Sequence, residues 1–177
     1  RRDGISYPTR RPQRPDADPP TGPEVLPGTY KLIMTYGDYQ DSTEVTVHTD
    51  PRLEISKTDL MAKMEVYDEF AGLVEKGDKA WKQLQDARKT IKLVDEALVN
   101  APDSVKQAIA KQGKELVKQI DELEKLYMMP EGLKGIQRSS DNLVGAYYGA
   151  SRYLSASDGA PNQAAQIMLN EAKEETA

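Results

Sequence analysis

The sequence has little of the chemistry that most enzymes and metalloproteins use. It contains no cysteine and a single histidine, His48. The absence of cysteine excludes disulfides, thiolate nucleophiles and thiolate metal sites. With one histidine, a zinc site would need three carboxylate ligands, which is an unusual set. We therefore assign no catalytic residue, no metal site and no cofactor to this chain.

Long apolar runs and an excess of basic charge are also missing. No stretch of about 18 apolar residues occurs, so no membrane-spanning helix is predicted. The chain has 24 Lys and Arg residues against 29 Asp and Glu residues, which gives a net charge of −5. A nucleic-acid-binding protein would show a basic stripe, so we expect no nucleic-acid partner. The 38% hydrophobic and 30% charged residues suit amphipathic helices.

The first 28 residues are rich in proline and arginine. Proline removes an amide donor and fixes φ, so this stretch cannot form a helix or an interior strand. Residues 4–7 are the exception and could form a short strand. The arginines could bind an anionic surface, but a solvated loop between strands is the better interpretation. The prolines are Pro8, Pro12, Pro15, Pro19, Pro20, Pro23 and Pro27, and the arginines are Arg1, Arg2, Arg10, Arg11 and Arg14.

A β-hairpin is predicted after this stretch, because apolar and polar residues alternate with period 2. Gly37 and Asp38 supply the turn, and Val45 and Val47 point one way on the returning strand. One face of the first strand is apolar and must cover something, so we expect it to contact a partner. Strands from outside this chain are the natural partner, and a second copy is the alternative. The apolar face consists of Tyr30, Leu32, Met34 and Tyr36.

A long helix is predicted over residues 58–99, where apolar residues recur at spacings of three and four. Ser56 or Thr58 is a suitable N-cap for this helix, with Asp59 in the first turn. Gly72, Gly77 and Asp78 mark the expected bend. The apolar stripe consists of Leu60, Met64, Tyr67, Ala71, Val74, Trp81, Leu84, Ile91, Val94 and Leu98.

Three further helices are predicted, at 103–128, at 135–155 and from Pro161 onward. Residues 139–141 read as an N-cap, and Gly145 and Gly149 would let another helix approach closely. Short connections favour antiparallel neighbours, and we expect the apolar stripes to pack together. The stripes are Val105, Ile109, Leu116, Ile120, Leu123 and Tyr127, then Ile136, Leu143, Tyr147, Ala150 and Leu154, then Ala164, Ile167, Met168 and Ala172.

The predicted fold is therefore mainly α with a small β part. Residues 1–52 form a partial Ig-like β region with a Pro/Arg-rich loop. Residues 53–177 form an antiparallel up-and-down bundle of three to four helices.

Few side chains are candidates for a specific role. Trp81 lies on the apolar stripe and reads as core rather than as a ligand platform. Tyr148 lies off the stripe of its helix and could face a partner or a sugar. Asp16 and Asp18 lack the glycine and glutamate spacing of a calcium loop. The carboxylate clusters near residues 121–124 and 171–175 look like solvated helix faces rather than glycosidase acids.

The β part resembles a known family. The motifs are Arg2-Asp3-Gly4, the Gly-Pro-Glu-Val-Leu-Pro-Gly-Thr-Tyr stretch at 22–30, Val45-Thr46-Val47 and Asp50-Pro51-Arg52. They are similar to the late strands of an Ig-like domain, like that of flagellar hook-capping proteins. In large secreted proteins with sortilin-like BNR (Asp-box) repeats, that domain follows a β-propeller. A helical C-terminal region follows in that family, with a Pro-X-X-Ala stretch similar to 161–164.

The resemblance implies a function without an active site in this chain. We expect a non-catalytic accessory module of a larger exported β-propeller protein, which braces the propeller or mediates assembly. Family members are often labelled glycosyl hydrolases, so the alternative is a carbohydrate-active enzyme to whose substrate cleft the helices contribute. A free-standing helical adaptor is a third possibility. The expected partner is the upstream propeller and Ig-like part, with a homo-oligomer also open, in the periplasm or outside the cell.

Overall fold

The computed structural model describes residues 2–11, 14, 16–130, 132 and 142–177. Within these ranges the chain forms one antiparallel hairpin followed by four α-helices, which confirms the predicted fold class. The two strands are β1 (Gly28–Tyr36) and β2 (Tyr39–Val47). The helices are α1 (Lys57–Ala97), α2 (Asp103–Tyr127), α3 (Leu143–Ser155) and α4 (Gln163–Thr176), and a 3-10 turn, Leu98–Asn100, joins α1 to α2.

Polar side chains cap three of these helices at their N-termini. Ser56 caps α1, because its Oγ accepts a hydrogen bond of 3.0 Å from the amide of Asp59. Asn142 caps α3 and Asn162 caps α4 in the same way, each with a 2.9 Å bond to an amide three residues on. These bonds satisfy amides that have no partner within the helix. The predicted N-cap at 139–141 and the predicted helical start near 135 lie outside the described residues.

α1 is the spine of the helical part. It has 41 residues and is therefore roughly 60 Å long. Its first half packs against α3 and α4, and its second half packs against α2. The bend expected at Gly72, Gly77 and Asp78 does not interrupt the helix, which is one continuous element.

The core forms where α1, α3 and α4 meet, and Tyr147 lies at its centre with no exposed surface. The Tyr147 ring meets the Phe70 ring edge-to-face, with centroids 6.2 Å apart. The Tyr147 hydroxyl donates to the backbone oxygen of Leu73 at 2.9 Å and lies 3.0 Å from Oγ1 of Thr176. One aromatic residue of α3 is thus joined to both α1 and α4.

Gly149 of α3 faces the side chain of Met168 on α4. A Cβ at this position would lie 2.8 Å from the terminal methyl carbon of Met168 on α4. This atom is the far end of a flexible side chain, so the prediction that Gly145 and Gly149 let another helix approach closely stays a prediction.

Residues 2–10 pack against the helices rather than forming the short strand predicted at 4–7. Tyr7 lies against the core cluster, and the Trp81 indole donates a 3.0 Å bond to the backbone oxygen of Thr9. Arg2 pairs with Asp68 at 2.6 Å, and Arg10 donates to the backbone oxygen of Met129 at 2.7 Å. The solvated-loop interpretation is therefore wrong for Arg2 and Arg10. The domain division at residue 52 stays a prediction.

The burial of several residues differs from what the predicted apolar stripes indicated. Trp81 and Ile120 are buried as predicted, with exposed fractions of 2% and 7%. Phe70, which is fully buried, was not among the predicted stripe residues. The stripe predictions are wrong for five residues that the structure leaves exposed, namely Val94, Val105, Leu116, Leu123 and Ile167.

We predict that two glycines of α1 respond to alanine in opposite directions. A Cβ at Gly72 would meet nothing within 4 Å, whereas a Cβ at Gly77 would lie 2.5 Å from the Tyr147 hydroxyl. Gly72→Ala should raise the free energy of unfolding by about 0.5–1 kcal/mol, the usual gain in a helix interior. Gly77→Ala should lower it by about 1–3 kcal/mol, because it overpacks the core. Urea denaturation of both variants measures this difference, and stabilisation by Gly77→Ala would contradict the described packing of Tyr147.

Candidate functional site

The hairpin has one apolar face, which the strand register defines. Tyr36 pairs with Tyr39, Tyr30 with Val45 and Gly28 with Val47. Directly paired residues project on the same side of a sheet, so the apolar side chains of both strands come together. We call this set the hairpin face. It comprises Tyr30, Leu32, Met34, Tyr36, Tyr39, Val45 and Val47, and the polar residues Thr43 and Asp41, which pair with Leu32 and Met34, project on the same side.

Four of the five predicted contact residues lie on the hairpin face. Their exposed fractions are 39% for Tyr30, 60% for Leu32, 68% for Met34 and 83% for Tyr36. Tyr39 completes the face and was missed by the sequence reasoning. A signal for it existed, because a two-residue turn at 37–38 forces residues 36 and 39 to pair.

The opposite side of the hairpin is mostly polar. It carries the pairs Thr29 with Thr46 and Lys31 with Glu44, and Ile33 is its one large apolar residue. No third strand joins the sheet within the described part of the chain. Such a hairpin is marginally stable alone, and sheets of this kind normally cover their apolar side with a second layer. The hairpin is therefore amphipathic, and its apolar side faces solvent.

Tyr148, the fifth predicted contact residue, lies on α3 away from the hairpin. It is 58% exposed, and its ring stacks on that of Tyr7 with centroids 4.9 Å apart and planes 6° from parallel. One face of the Tyr148 ring is thus covered by the chain's own N-terminal segment. The structure does not bring Tyr148 together with the hairpin face.

An open groove of about 1360 Å³ lies beside the base of the hairpin. Its walls come from the N-terminal segment, the connection between β2 and α1, the first turns of α1, and α3. His48 lines this groove and is exposed. Aromatic lining is supplied by Tyr7, Tyr67 and Tyr148.

Two of the carboxylates that line the groove, those of Asp50 and Asp78, are paired with neighbouring cations, and Glu24 and Asp158 line it as well. Hydrogen bonds from the Arg52 side chain lower the pKa of Asp50, and the Arg52 Nε lies 2.9 Å from Asp50 Oδ1. Asp78 forms an ion pair of 2.6 Å with Lys82. A glycosidase general acid needs a raised pKa, which cationic neighbours oppose. Asp50 is therefore not suited to that role.

Metal binding and membrane insertion find no support in the described ranges. Among residues 2–11, 14, 16–130, 132 and 142–177, no group of His, Asp and Glu side chains could hold a metal ion. In the same ranges, no helix combines the length and apolarity needed to cross a bilayer.

We predict that Tyr7 makes the folded chain less stable in alkali. Burial raises the pKa of Tyr7, whereas a phenol in the unfolded chain titrates near about 10. The pKa of Tyr7 is higher in the folded chain than in the unfolded chain. The contribution of the neutral phenol to stability is therefore fully present below about pH 10 and is lost as pH rises through the folded pKa. Tyr7→Phe should therefore show a shallower decline in unfolding free energy above about pH 10 than the wild type. Urea denaturation at a series of pH values measures both slopes, and identical slopes would contradict the burial of the phenol.

The chain was compared with protein families, with curated proteins and with solved structures, and none of the three comparisons gives a match.

Proposed function

We propose that this chain is a non-catalytic accessory module whose hairpin docks onto β-strands of a larger exported protein. The observation that carries the proposal is the exposure of the hairpin face beside a helical core that is already filled. Leu32 and Met34 are more than half exposed, while Phe70, Val74 and Tyr147 are fully buried among the helices. The helices thus act as a rigid support, and the hairpin acts as the contact element.

Covering the hairpin face would release substantial free energy. Each large apolar side chain contributes roughly 1.5–3 kcal/mol when it moves from water into a packed interior. The hairpin face has several such side chains close together, which is the pattern of a binding surface rather than of scattered surface apolar residues. A partner sheet packed about 10 Å away would bury them as in a β-sandwich.

The family resemblance supports the identity of the partner. The motifs at 22–30, 45–47 and 50–52 resemble late strands of an Ig-like domain, and the structure forms a hairpin over most of this segment. The remaining strands of that domain are the partner that we propose, within a protein that carries a sortilin-like BNR propeller. In this arrangement the helices brace the propeller or mediate assembly. Export to the periplasm or cell surface is part of the same proposal.

We predict that adding the partner strands changes how the hairpin responds to mutation. The test compares this chain with a form extended upstream by about 60 residues, enough for the missing sandwich strands. Leu32→Thr should have little effect on stability in the chain alone, where Leu32 is 60% exposed. In the extended form it should cost about 1.5–3 kcal/mol, because the side chain is covered.

Ile33→Thr is the matched control for this experiment. Ile33 is 54% exposed and lies on the polar side of the same strand. Its substitution should change stability by less than about 0.5 kcal/mol in both forms. Equal effects of Leu32→Thr in the two forms would contradict docking through the hairpin face.

We also predict that the chain has no hydrolase activity of its own. Aryl glycosides, sialosides and polysaccharides should give background turnover, because Asp50 and Asp78 are both ion-paired in the groove. Release of reducing ends or of aryl alcohol measures this directly. Turnover that a single Asp or Glu substitution abolishes would favour the alternative, a carbohydrate-active enzyme to whose cleft the helices contribute.

A further inference from the structure

The second half of α1 and the whole of α2 form a two-helix arm that extends away from the core. Trp81 meets Tyr127 where the arm joins the core, and Ile91 lies over Gly113 further out. On one side of the contact between the two helices, charged side chains form ion pairs. Arg88 lies 2.6 Å from Asp121 and 3.0 Å from Glu124.

The other side of the arm carries a second apolar row on each helix. On α2 the row includes Val105, Ile109, Leu116 and Leu123, which are four, seven and seven residues apart and lie on one side of the helix, with Gln112 and Gln119 between them. On α1 it includes Val94 and continues through Leu98 in the connecting turn. At about 100° per residue, the row on α1 lies roughly a quarter turn, and the row on α2 roughly an eighth of a turn, from the residues that meet the partner helix, in the same rotational sense. Because the helices are antiparallel, the two rows meet on one side.

We call these six residues the arm face. Val94 and Val105 are each 41% exposed, Leu123 is 46% exposed and Leu116 is 49% exposed. A sector of about 140° on α2 that contains its part of the arm face holds no Lys, Asp or Glu. In a four-helix bundle every helix packs against two neighbours, and a second seam of this kind serves the second neighbour.

We propose that the arm face binds the arm face of a second copy of this chain, so that two arms form an antiparallel four-helix bundle. A two-fold interface requires one self-complementary patch, and two amphipathic helices side by side provide it. α2 has 25 residues and is roughly 37 Å long. A patch of that length and two helices wide covers roughly 700 Å², close to the roughly 800 Å² per partner of a standard interface.

Charges at the rim of the arm face favour a second copy in the antiparallel direction. Lys111, Glu115, Lys118 and Glu122 alternate in sign along the outer edge of α2. An antiparallel pairing about the middle of the helix places Lys111 opposite Glu122 of the second copy and Lys118 opposite its Glu115. With the two-fold axis along the arms, α2 would instead lie over α1 of the second copy, and these pairs of opposite charge would not form. These rim charges therefore favour the antiparallel direction of docking.

Sedimentation velocity over about 1–100 μM tests the proposal, since this range resolves interfaces of micromolar affinity. The wild-type chain should pass from monomer to dimer as concentration rises. Leu116→Glu should raise the dissociation constant at least about tenfold, because it places an unpaired carboxylate in the interface. Leu93→Glu is the matched control, because Leu93 is 63% exposed on the same arm but lies off the arm face. It should dimerise as the wild type does.

Two further variants test the geometry of the dimer. Lys118→Glu should weaken it, and adding Glu115→Lys should restore it, because the pair is exchanged across the two-fold axis. The chain has no cysteine, so Leu116→Cys provides a single thiol. It should form an intermolecular disulfide on mild oxidation, whereas Leu93→Cys should not.

Two outcomes overturn the proposal. A wild-type chain that stays monomeric throughout the range leaves the arm face to a different protein. A dimer that survives Leu116→Glu and is lost on Leu32→Glu forms through the hairpin. Docking of the hairpin onto partner strands is measured with the extended form, so the failure of one proposal does not imply failure of the other.

Discussion

The packing of Tyr147 against Gly77 is the contact on which the rest of the structure depends. The Tyr147 hydroxyl occupies the space that a Cβ at position 77 would take, so α3 can approach α1 closely there. The same hydroxyl binds the backbone of α1 and the last turn of α4. Tyr7 from the N-terminal segment meets the Tyr147 ring edge-to-face, with centroids 6.5 Å apart. Four parts of the chain are therefore held together at one side chain.

Only the first half of α1 contributes to this core, and two elements lie outside it. The hairpin precedes α1, and the arm continues α1 beyond Trp81. Each of them carries apolar side chains on one side and polar or ion-paired side chains on the other. The apolar side of neither element is covered by the described parts of the chain. A small, complete core with two amphipathic extensions is the reason we propose a role in assembly.

Local sequence signals were sufficient for the hairpin turn, the start of α1 and the break between α1 and α2. The Gly37-Asp38 turn, the Ser56 cap and the break before Asp103 depend on residues within a few positions of one another, and all three are where the sequence indicated. The hairpin face also followed from alternation, because period 2 relates neighbours along a strand. What the sequence could not show was which element covers which face.

Long-range contacts explain the predictions that were wrong. Proline in residues 1–28 excludes helix, yet it says nothing about the packing of Tyr7 into a core built more than 60 residues later. The stripe on α2 is wide enough for two neighbours, and the sequence cannot reveal that α1 covers one half of it. Leu116 and Leu123 were therefore assigned to the core although they are exposed. The burial of Phe70 was not predicted, because the stripe read from the sequence passes through its neighbour Ala71 instead.

Native-state hydrogen exchange tests the central claim most directly, namely that the hairpin lies outside the core built around Tyr147. In the chain alone, amides of α3, of α4 and of α1 around Phe70 and Val74 should be the most protected, because they open only with global unfolding. Amides of β1 and β2 should exchange much faster, through local opening of the hairpin. Hairpin amides as strongly protected as those of α3 would contradict the account, because they would show that the hairpin and the core unfold as one unit.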